Sequence, residues 1–516
     1  MINFVFQNLS KIFYLNFLRL TITKNQYKNF KDLNFRQNDF LNYKIIKNYT
    51  LKENFILNET ITDIHTFNFL SFFQKLGGKK GIELSKKNIF LWYKKFKYYN
   101  KFPWTGDLSS KRLINLIYSY DYVCSISDPK ETKLINNIIN FHIKRINFDS
   151  KKKDIEHISS YELLALILIE FCKNDFDNNA VNKIKDIITS QVDEISMHKS
   201  YNILEHAKFL NNLIEIKNIF LFGDIKIPEF IDSTILAMTS LLKTYIHGDL
   251  SLPLFNGCNN NHNESITGIY EKEQFLKTKS LTNFKNGVIV YKDKNKTIFF
   301  DVTKPTKYEF HKDLSSGTLS IEVSAHGEKI LTNCGGTEGG EKNKGYLKYS
   351  AAHSTIIINN TNISEIDEGK INKIFPKEVI FESKDEDSRT IFAGRHNGYL
   401  KNYSKICKRE IFIDKKTDLI KGEDTIISTK SNIENTVYHI RFHLMPEIST
   451  TVTENKKNII IRTKKNNIWL FKSNNEIMIE KSIFVSNDVT IETSQIVISG
   501  ISSSLKNKII WSLEKA

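Results

Sequence analysis

The spacing of apolar residues divides the chain into two parts. Up to about residue 265 they recur at helical intervals. In "YNILEHAKFLNNLIEI", Ile203, Ala207, Leu210 and Ile214 fall on one helical face. After Pro228, Ile235, Met238, Leu242 and Tyr245 do the same. "SSYELLALILIEFC" (159–172) carries a start signal, because Glu162 follows Ser159 at the spacing of a capping box. Its run "LLALILI" (163–169) is too short to span a bilayer and predicts a buried helix. Short polar links between such segments predict antiparallel helical hairpins.

From about residue 280 the period becomes that of strands. "GVIVYKDKNKTIFFDV" (287–302) predicts one hairpin, and "TLSIEVSAHGEKILTNC" (318–334) a second that turns at Ala325–Gly327. Short β-type runs follow: "REIFID", "DLIKGEDTIIS", "YHIRFHL", "NIIIRT", "IWLFKS", "QIVISG" and "IIWSLE". Many short strands at this spacing predict a sandwich or barrel-like domain. Between the two parts, "NGCNNNHNES" (256–265) reads as a loop. The fold class expected is α+β and multidomain.

Composition changes this picture little. The chain has 516 residues, 40% hydrophobic and 12% aromatic. That excludes a disordered chain and allows roughly two or three domains. The formal net charge is +16, which favours polyanionic partners. The lysines are spread along the chain, however, and "KKKD" (151–154) reads as a solvated loop. No nucleic-acid motif accompanies the charge, so a nucleic-acid partner is not expected. Cys124, Cys172, Cys258, Cys334 and Cys407 are odd in number and scattered, which argues against a disulfide framework or a thiolate metal site. The opening "MINFVFQNLSKIFYLNFLRLTITKNQ" reads as a helix rather than a signal peptide, and no transmembrane segment is expected.

No single motif names a chemistry. "CGGTEGGEKNKG" (334–345) is glycine-rich but lacks the GK[ST] of a phosphate loop, and reads as a mobile loop. "HGDLSLPLFNG" (247–257) gathers His247, Asp249 and Asn256, which alone reads as a helix end and a turn. "RFHLMP" (441–446) puts Arg441 and His443 on one face of a strand, which alone reads as a polar edge.

Taken together and in order, the motifs resemble the heparinase II/III-like polysaccharide lyases, in particular a bacterial subgroup of unassigned substrate. The resemblance rests on "FNFLSFFQKLG" (67–77), "WTGDLSSKRLIN" (104–115), "HGDLSLPLFNG", "GTLSIEVSAHGEKILTNCGG" (317–336), "YLKYSAAHSTIIIN", "GRHNGY" (394–399), "IKGEDTI" (420–426) and "YHIRFHLMP" (438–446). It implies an N-terminal incomplete (α/α) toroid followed by a C-terminal antiparallel β-sandwich, with the active site in a cleft between them. The expected layout is an N-terminal extension, partly helical, at 1–60, a toroid at 61–265, a linker at 266–280 and a sandwich at 281–516. By resemblance the protein is expected on the cell-envelope side. The lack of a signal peptide leaves the cytoplasm open.

Such lyases act on uronic-acid polysaccharides by β-elimination, so the resemblance implies an anionic polysaccharide as partner. A base removes the C5 proton beside the carboxylate, and the C4–O bond breaks. The carboxylate must be neutralised, and base and acid must reach the reacting atoms. A tyrosine, with an ordinary pKa of about 10, needs its phenolate stabilised to serve as base. The resemblance implies Asn, His and Tyr from the toroid, for which the candidates are His198, Tyr201, Tyr245, His247 and Asn256, with His311 from the sandwich. Asp249, Arg441, His443 and Tyr399 are candidates for substrate binding. A catalytically degenerate glycan-binding or envelope glycan-processing protein of the same fold is the alternative.

In relatives with zinc in the sandwich, a histidine of the "AAH[NS]T" motif is a ligand, and His353 occupies that position. Asn333 stands in place of the Asp ligand. "DLSSG" (313–317) stands in place of HxHxD, so Asp313 and Ser315 replace histidines. An amide and a hydroxyl are poor substitutes at zinc. No cofactor is therefore expected, zinc is disfavoured, and His353 is expected to hold loop 334–350 by hydrogen bonding. The oligomeric state is left open.

Overall fold

The computed structural model describes residues 62–98, 102–173, 178–259, 269, 283–304, 314–336, 342–367, 370–371, 374–486 and 489–516. The expected extension at 1–60 lies outside them, as does the linker at 266–280 apart from Ile269. The chain divides into two compact units. The first contains residues up to Asp193 together with Lys208–Leu236. The second contains Glu194–Ala207, Ala237–Asn263 and Glu273–Ala516. Two segments of helical sequence character thus belong to the same unit as the strands.

The first unit is helical, and local signals set where its helices begin. Helix Pro129–Ser150 starts with Asp128, whose carboxylate accepts the backbone N–H groups of Lys130 and Glu131 at 2.7 and 2.8 Å. Those donors have no partner within the helix, so a side-chain oxygen there stabilises its first turn. Ser159 does the same for helix Ser160–Lys173. Its Oγ accepts the Glu162 N–H at 3.2 Å, and the Glu162 carboxylate accepts the Ser159 N–H at 3.0 Å. The capping box expected from sequence is present, and Leu163–Ile169 is buried as expected. The arginine of "WTGDLSSKRLIN" sits in an aromatic box. The Arg112 guanidinium lies 4.0 Å from the Trp92 ring centroid and 4.8 Å from that of Trp104, and its Nε donates to His142 Nε2 at 2.7 Å. Burial, then the neighbouring Arg112 charge, pulls the His142 pKa well below its usual value, leaving a neutral ring that can accept.

The second unit holds two antiparallel sheets. One runs, in spatial order, Asn283–Asn286, Val288–Lys292, Lys296–Asp301, Ile321–Ala325, Glu328–Thr332, Thr436–Leu444, Val489–Ser502, Ile477–Ser486, with Ile356–Ile358 beside Thr436–Leu444. The other runs Ser449–Val452, Asn458–Arg462, Ile468–Ser473, Lys506–Lys515, Ile420–Ser428, Lys405–Asp414, Arg389–His396, Val379–Asp385. Alternating apolar residues of both sheets meet in one core, where the Phe442 ring lies 5.0 Å from Phe471 and 4.8 Å from Trp511. This is a β-sandwich. Both expected hairpins form. The second turns through His326 (φ 52°) and Gly327 (φ 73°), left-handed at both central positions as a tight hairpin requires.

A buried ion pair ties the sheets. Arg409 Nε and Nη2 bind Asp424 Oδ1 and Oδ2 at 2.6 and 2.9 Å, and Arg409 Nη1 donates to the carbonyls of Leu319 and Ser354 at 2.9 and 2.8 Å. Trp511 Nε1 donates to the same carboxylate at 3.0 Å. Asp424→Ala would leave the guanidinium buried and half paired. The expected cost is about 3–5 kcal/mol, read as a lower denaturant midpoint, whereas Lys408→Ala at the surface should barely move it.

Candidate functional site

In "SIEVSA", Ile321, Val323 and Ala325 point into the sandwich core, so Glu322 and Ser324 lie on the opposite face. Segment 247–254 covers that face. Glu322 is fully buried and its carboxylate is crowded with donors. Oε2 accepts from His247 Nε2 at 2.9 Å and Lys329 Nζ at 3.1 Å. Oε1 accepts the backbone N–H groups of Leu254 and Asn333 at 3.1 and 3.0 Å, Asn333 Nδ2 at 3.2 Å and Thr332 Oγ1 at 3.3 Å. Burial alone would raise its pKa. Lys329 and then His247 more than offset this and bring it down to about 2.

His247 is correspondingly neutral. Burial, then the Lys329 charge, lowers its pKa to about 4. With Nε2 donating to Glu322, Nδ1 accepts from Ser324 Oγ at 2.8 Å. Both ring nitrogens are thus occupied inside the protein. His247, expected to line the reaction site, here joins segment 247–254 to the sheet. Tyr245 is likewise engaged within the protein. It is buried, and its hydroxyl donates to the Val288 carbonyl at 2.6 Å.

The other candidates of the helical sequence gather beside this network. Asn256 Nδ2 reaches the Tyr201 carbonyl at 3.4 Å and Thr303 Oγ1 at 3.3 Å, and its Oδ1 accepts the Ser315 N–H at 3.5 Å. Tyr201 and Asn256 both have left-handed backbones, φ 51° and 50°. Asparagine tolerates this, whereas a tyrosine there is strained, and such strain concentrates at functional sites. The half-buried Tyr201 ring lies over Gly287, where a Cβ would come within 2.5 Å of it. Gly336 of "CGG" approaches Gly257 of "FNG" so closely that a Cβ would come within 2.4 Å of the Gly257 oxygen. His198 is buried one turn away, its Nδ1 2.8 Å from Ser200 Oγ and its carbonyl accepting the Tyr201 N–H at 2.9 Å. Asn256 therefore joins Tyr201 to Thr303 and Ser315. His311 and Asp313 lie outside the described residues.

The remaining candidates do not join this group by any hydrogen bond. Exposed Asp249 folds back on its own turn, accepting Ser251 N and Oγ at 3.0 and 2.6 Å. Tyr399 is buried in the sandwich core and donates to the Thr361 carbonyl at 3.0 Å, so its expected contact with substrate is corrected to an internal anchor. Arg441 pairs with Glu480 at 2.9 Å. His443 is buried, with Nδ1 2.7 Å from Ser482 Oγ.

The zinc positions do not fit a metal. Asn333 donates its amide to Glu322, and its Oδ1 accepts the Ser354 N–H at 2.9 Å, so the side chain is committed at both ends. Among the described residues no group of three or more His, Cys, Asp or Glu side chains is arranged to hold a metal ion. His353 is buried and packs against Gly317, where a Cβ would come within 2.8 Å of its ring. Neither ring nitrogen makes a hydrogen bond of ordinary geometry, but the Leu347 backbone of loop 334–350 lies close enough to oppose the burial that lowers the His353 pKa to about 4, so the ring meets that loop by packing and by this weak polar contact.

Sequence reasoning missed Glu322 and Lys329. A charged residue alternating with apolar ones reads as solvent-facing, and only the distant segment 247–254 buries these two. The one available signal was their location within a motif of the family resemblance.

Residues 278–512 match the family model of the heparinase II/III-like C-terminal domain. Among solved structures, a heparinase III superposes with a TM-score of 0.71 at 12% identity, over 96% of this chain and 85% of its own. A heparan sulfate lyase from Pedobacter heparinus gives 0.60 at 12%, over 97% and 87%. A xanthan lyase from Paenibacillus gives 0.53 at 9%, over 98% and 59%. No curated protein matches the sequence. The class is thus defined by fold, a helical toroid followed by an antiparallel sandwich, as in these polysaccharide lyases.

Acid should loosen the network in two stages. His247 has a folded pKa of about 4 against an ordinary 6.5, so its stabilisation is complete above 6.5 and is lost as pH falls toward 4. Glu322, at about 2 against an ordinary 4.5, loses its own below 4.5. Glu322→Gln should cost about 3–5 kcal/mol at pH 7 by leaving Lys329 unpaired. It should also flatten the decline below pH 4.5. Denaturant midpoints measured from pH 8 to 3 test both.

Proposed function

We propose that this protein is a polysaccharide lyase that cleaves an anionic, uronic-acid-containing glycan by β-elimination. The observation that carries the reading is the pair of left-handed residues, Tyr201 and Asn256, held together beside Thr303 and Ser315. The two side-chain types match two of the roles elimination needs. An amide can donate to the substrate carboxylate, so that charge developing at C5 is stabilised. A tyrosine can take the C5 proton or return one to the leaving oxygen. Asn256 holds its present partners at 3.3–3.5 Å, contacts long enough to yield to a carboxylate. His247 and Glu322 position this group by fixing segment 247–254. The fold shared with a heparinase III and a xanthan lyase is consistent with the same class of reaction.

A second reading, a glycan-binding protein without elimination, draws on one observation: the side chains of His247 and Tyr245 are occupied internally.

The test is ultraviolet absorbance of the new C4–C5 double bond on heparan sulfate, hyaluronan, alginate and polyglucuronate. Elimination on at least one is expected. Tyr201→Phe should lower kcat about 100-fold or more. Asn256→Asp, which keeps the left-handed backbone but repels a carboxylate, should raise KM as well. Binding without absorbance on every glycan would overturn the lyase reading in favour of the second.

A further inference from the structure

The Asn256 amide leads to a buried carboxyl group that no reading above uses. Asn256 Nδ2 donates to Thr303 Oγ1 at 3.3 Å. Thr303 in turn serves Asp301. Its backbone N–H donates to Asp301 Oδ1 at 2.9 Å, and its hydroxyl hydrogen-bonds the same carboxyl group. Asp301 ends strand Lys296–Asp301 on the face that carries Phe299 and Glu322, and it is 3% exposed.

A buried carboxylate is normally matched by a cation, as Glu322 is by Lys329 and Asp424 by Arg409. Asp301 forms no ion pair among the described residues. The titratable groups on the elements around it are few. Glu322 lies two residues along the neighbouring strand from Ser320, whose carbonyl accepts the Asp301 N–H. The Tyr201 ring lies over Gly287, with His198 one turn away. Arg409 donates to the Leu319 carbonyl but is bound to Asp424, and Lys304 is exposed. None of these charges sets the Asp301 pKa. Burial raises it to about 7, against the two Thr303 contacts.

The charge on Asp301 matters because of Thr303. An ionised carboxylate only accepts, so the Thr303 hydroxyl gives it its proton. The hydroxyl oxygen is then left to accept from Asn256 Nδ2, and is polarised to do so. A protonated Asp301 carries its own O–H and can donate to Thr303 instead. The Thr303 proton is then free to turn toward Asn256, against its NH2 group. The Tyr201 carbonyl and the Ser315 N–H favour the first arrangement, but at 3.4 and 3.5 Å they hold it loosely.

We propose that Asp301 is a positioning residue, which through the Thr303 hydroxyl orients the Asn256 amide while it is ionised and releases it when protonated. The consequence for catalysis rests on the lyase reading above: the ionised form keeps the amide in the orientation that donates to a substrate carboxylate. The hydrogen-bond chain itself does not depend on that reading.

The test is nuclear magnetic resonance of the full chain, with heavy nitrogen in the asparagine side chains. The Asn256 signal is identified by its loss in Asn256→Asp. It should move with pH, with a midpoint of about 7. In Asp301→Asn and in Thr303→Val it should stay still between about pH 6 and 8. Thr303→Ser, which keeps the hydroxyl, should restore the movement, and melting curves check that each variant folds. A signal that does not move in the unaltered protein would overturn the proposal. So would movement that persists in Asp301→Asn or Thr303→Val. Absence of elimination on every glycan sinks the lyase reading alone and leaves this result standing. On a glycan that is cleaved, KM should rise about tenfold as pH falls through the same midpoint, with kcat changing less. Asp301→Asn should show the raised KM at every pH, and a KM indifferent to that change would overturn the catalytic consequence.

Discussion

The second unit depends on one buried charge. Glu322 has no access to water, and a carboxylate in that position is tolerated only when surrounded by donors. The donors come from three stretches of chain: His247 and Leu254 from the segment before the sandwich, Lys329 and Thr332 from the neighbouring strand, Asn333 from the loop that follows it. Satisfying one ion thus fixes the relative positions of three segments. Lys329 Nζ extends the arrangement to the Leu252 carbonyl at 2.9 Å. Asn333 passes it to Ser354, whose hydroxyl bonds the Thr332 carbonyl at 2.6 Å and accepts the His443 N–H at 2.9 Å.

That chain of contacts explains why several chemistry-bearing residue types turn out to be structural. His247, Asn333 and Tyr245 have the side chains of catalysts or ligands, yet their polar atoms are matched within the protein. Asn333 is the clearest case. Glu322 needs an N–H donor there and Ser354 needs an acceptor, which an amide supplies and an aspartate would not. The exchange of a carboxylate for an amide fits a hydrogen-bonded joint better than a metal site. Other residues carry strain instead of a full set of partners. Tyr201 is strained in backbone conformation, and Gln495 lies buried with its Oε1 unpaired.

Much of the architecture was legible in the sequence, because the signals for it are local. Ser159 and Glu162 cap a helix through their own neighbours. His326 and Gly327 turn a hairpin whose strands are adjacent in the chain. Runs such as "REIFID" alternate between core and outer face. The candidate site was legible only in part. Of the candidates from the helical part, Tyr201 and Asn256 lie together, while the side chains of His247 and Tyr245 are hydrogen-bonded to the sheet. Their roles turn on residues 40 to 80 positions away, such as Val288, Glu322 and Ser324, and no local pattern contains that information.

By itself, then, the sequence determined the division into helical and β parts, the starts of its helices, its hairpins and the family its motifs resemble. These follow from dihedral preferences, capping and hydrophobic period, which act over a few residues. Tertiary structure alone decided which charges are buried, which histidines are neutral, and which polar atoms have no partner. Those properties depend on desolvation and on donors brought in from distant segments, so they exist only once the chain has closed around Glu322.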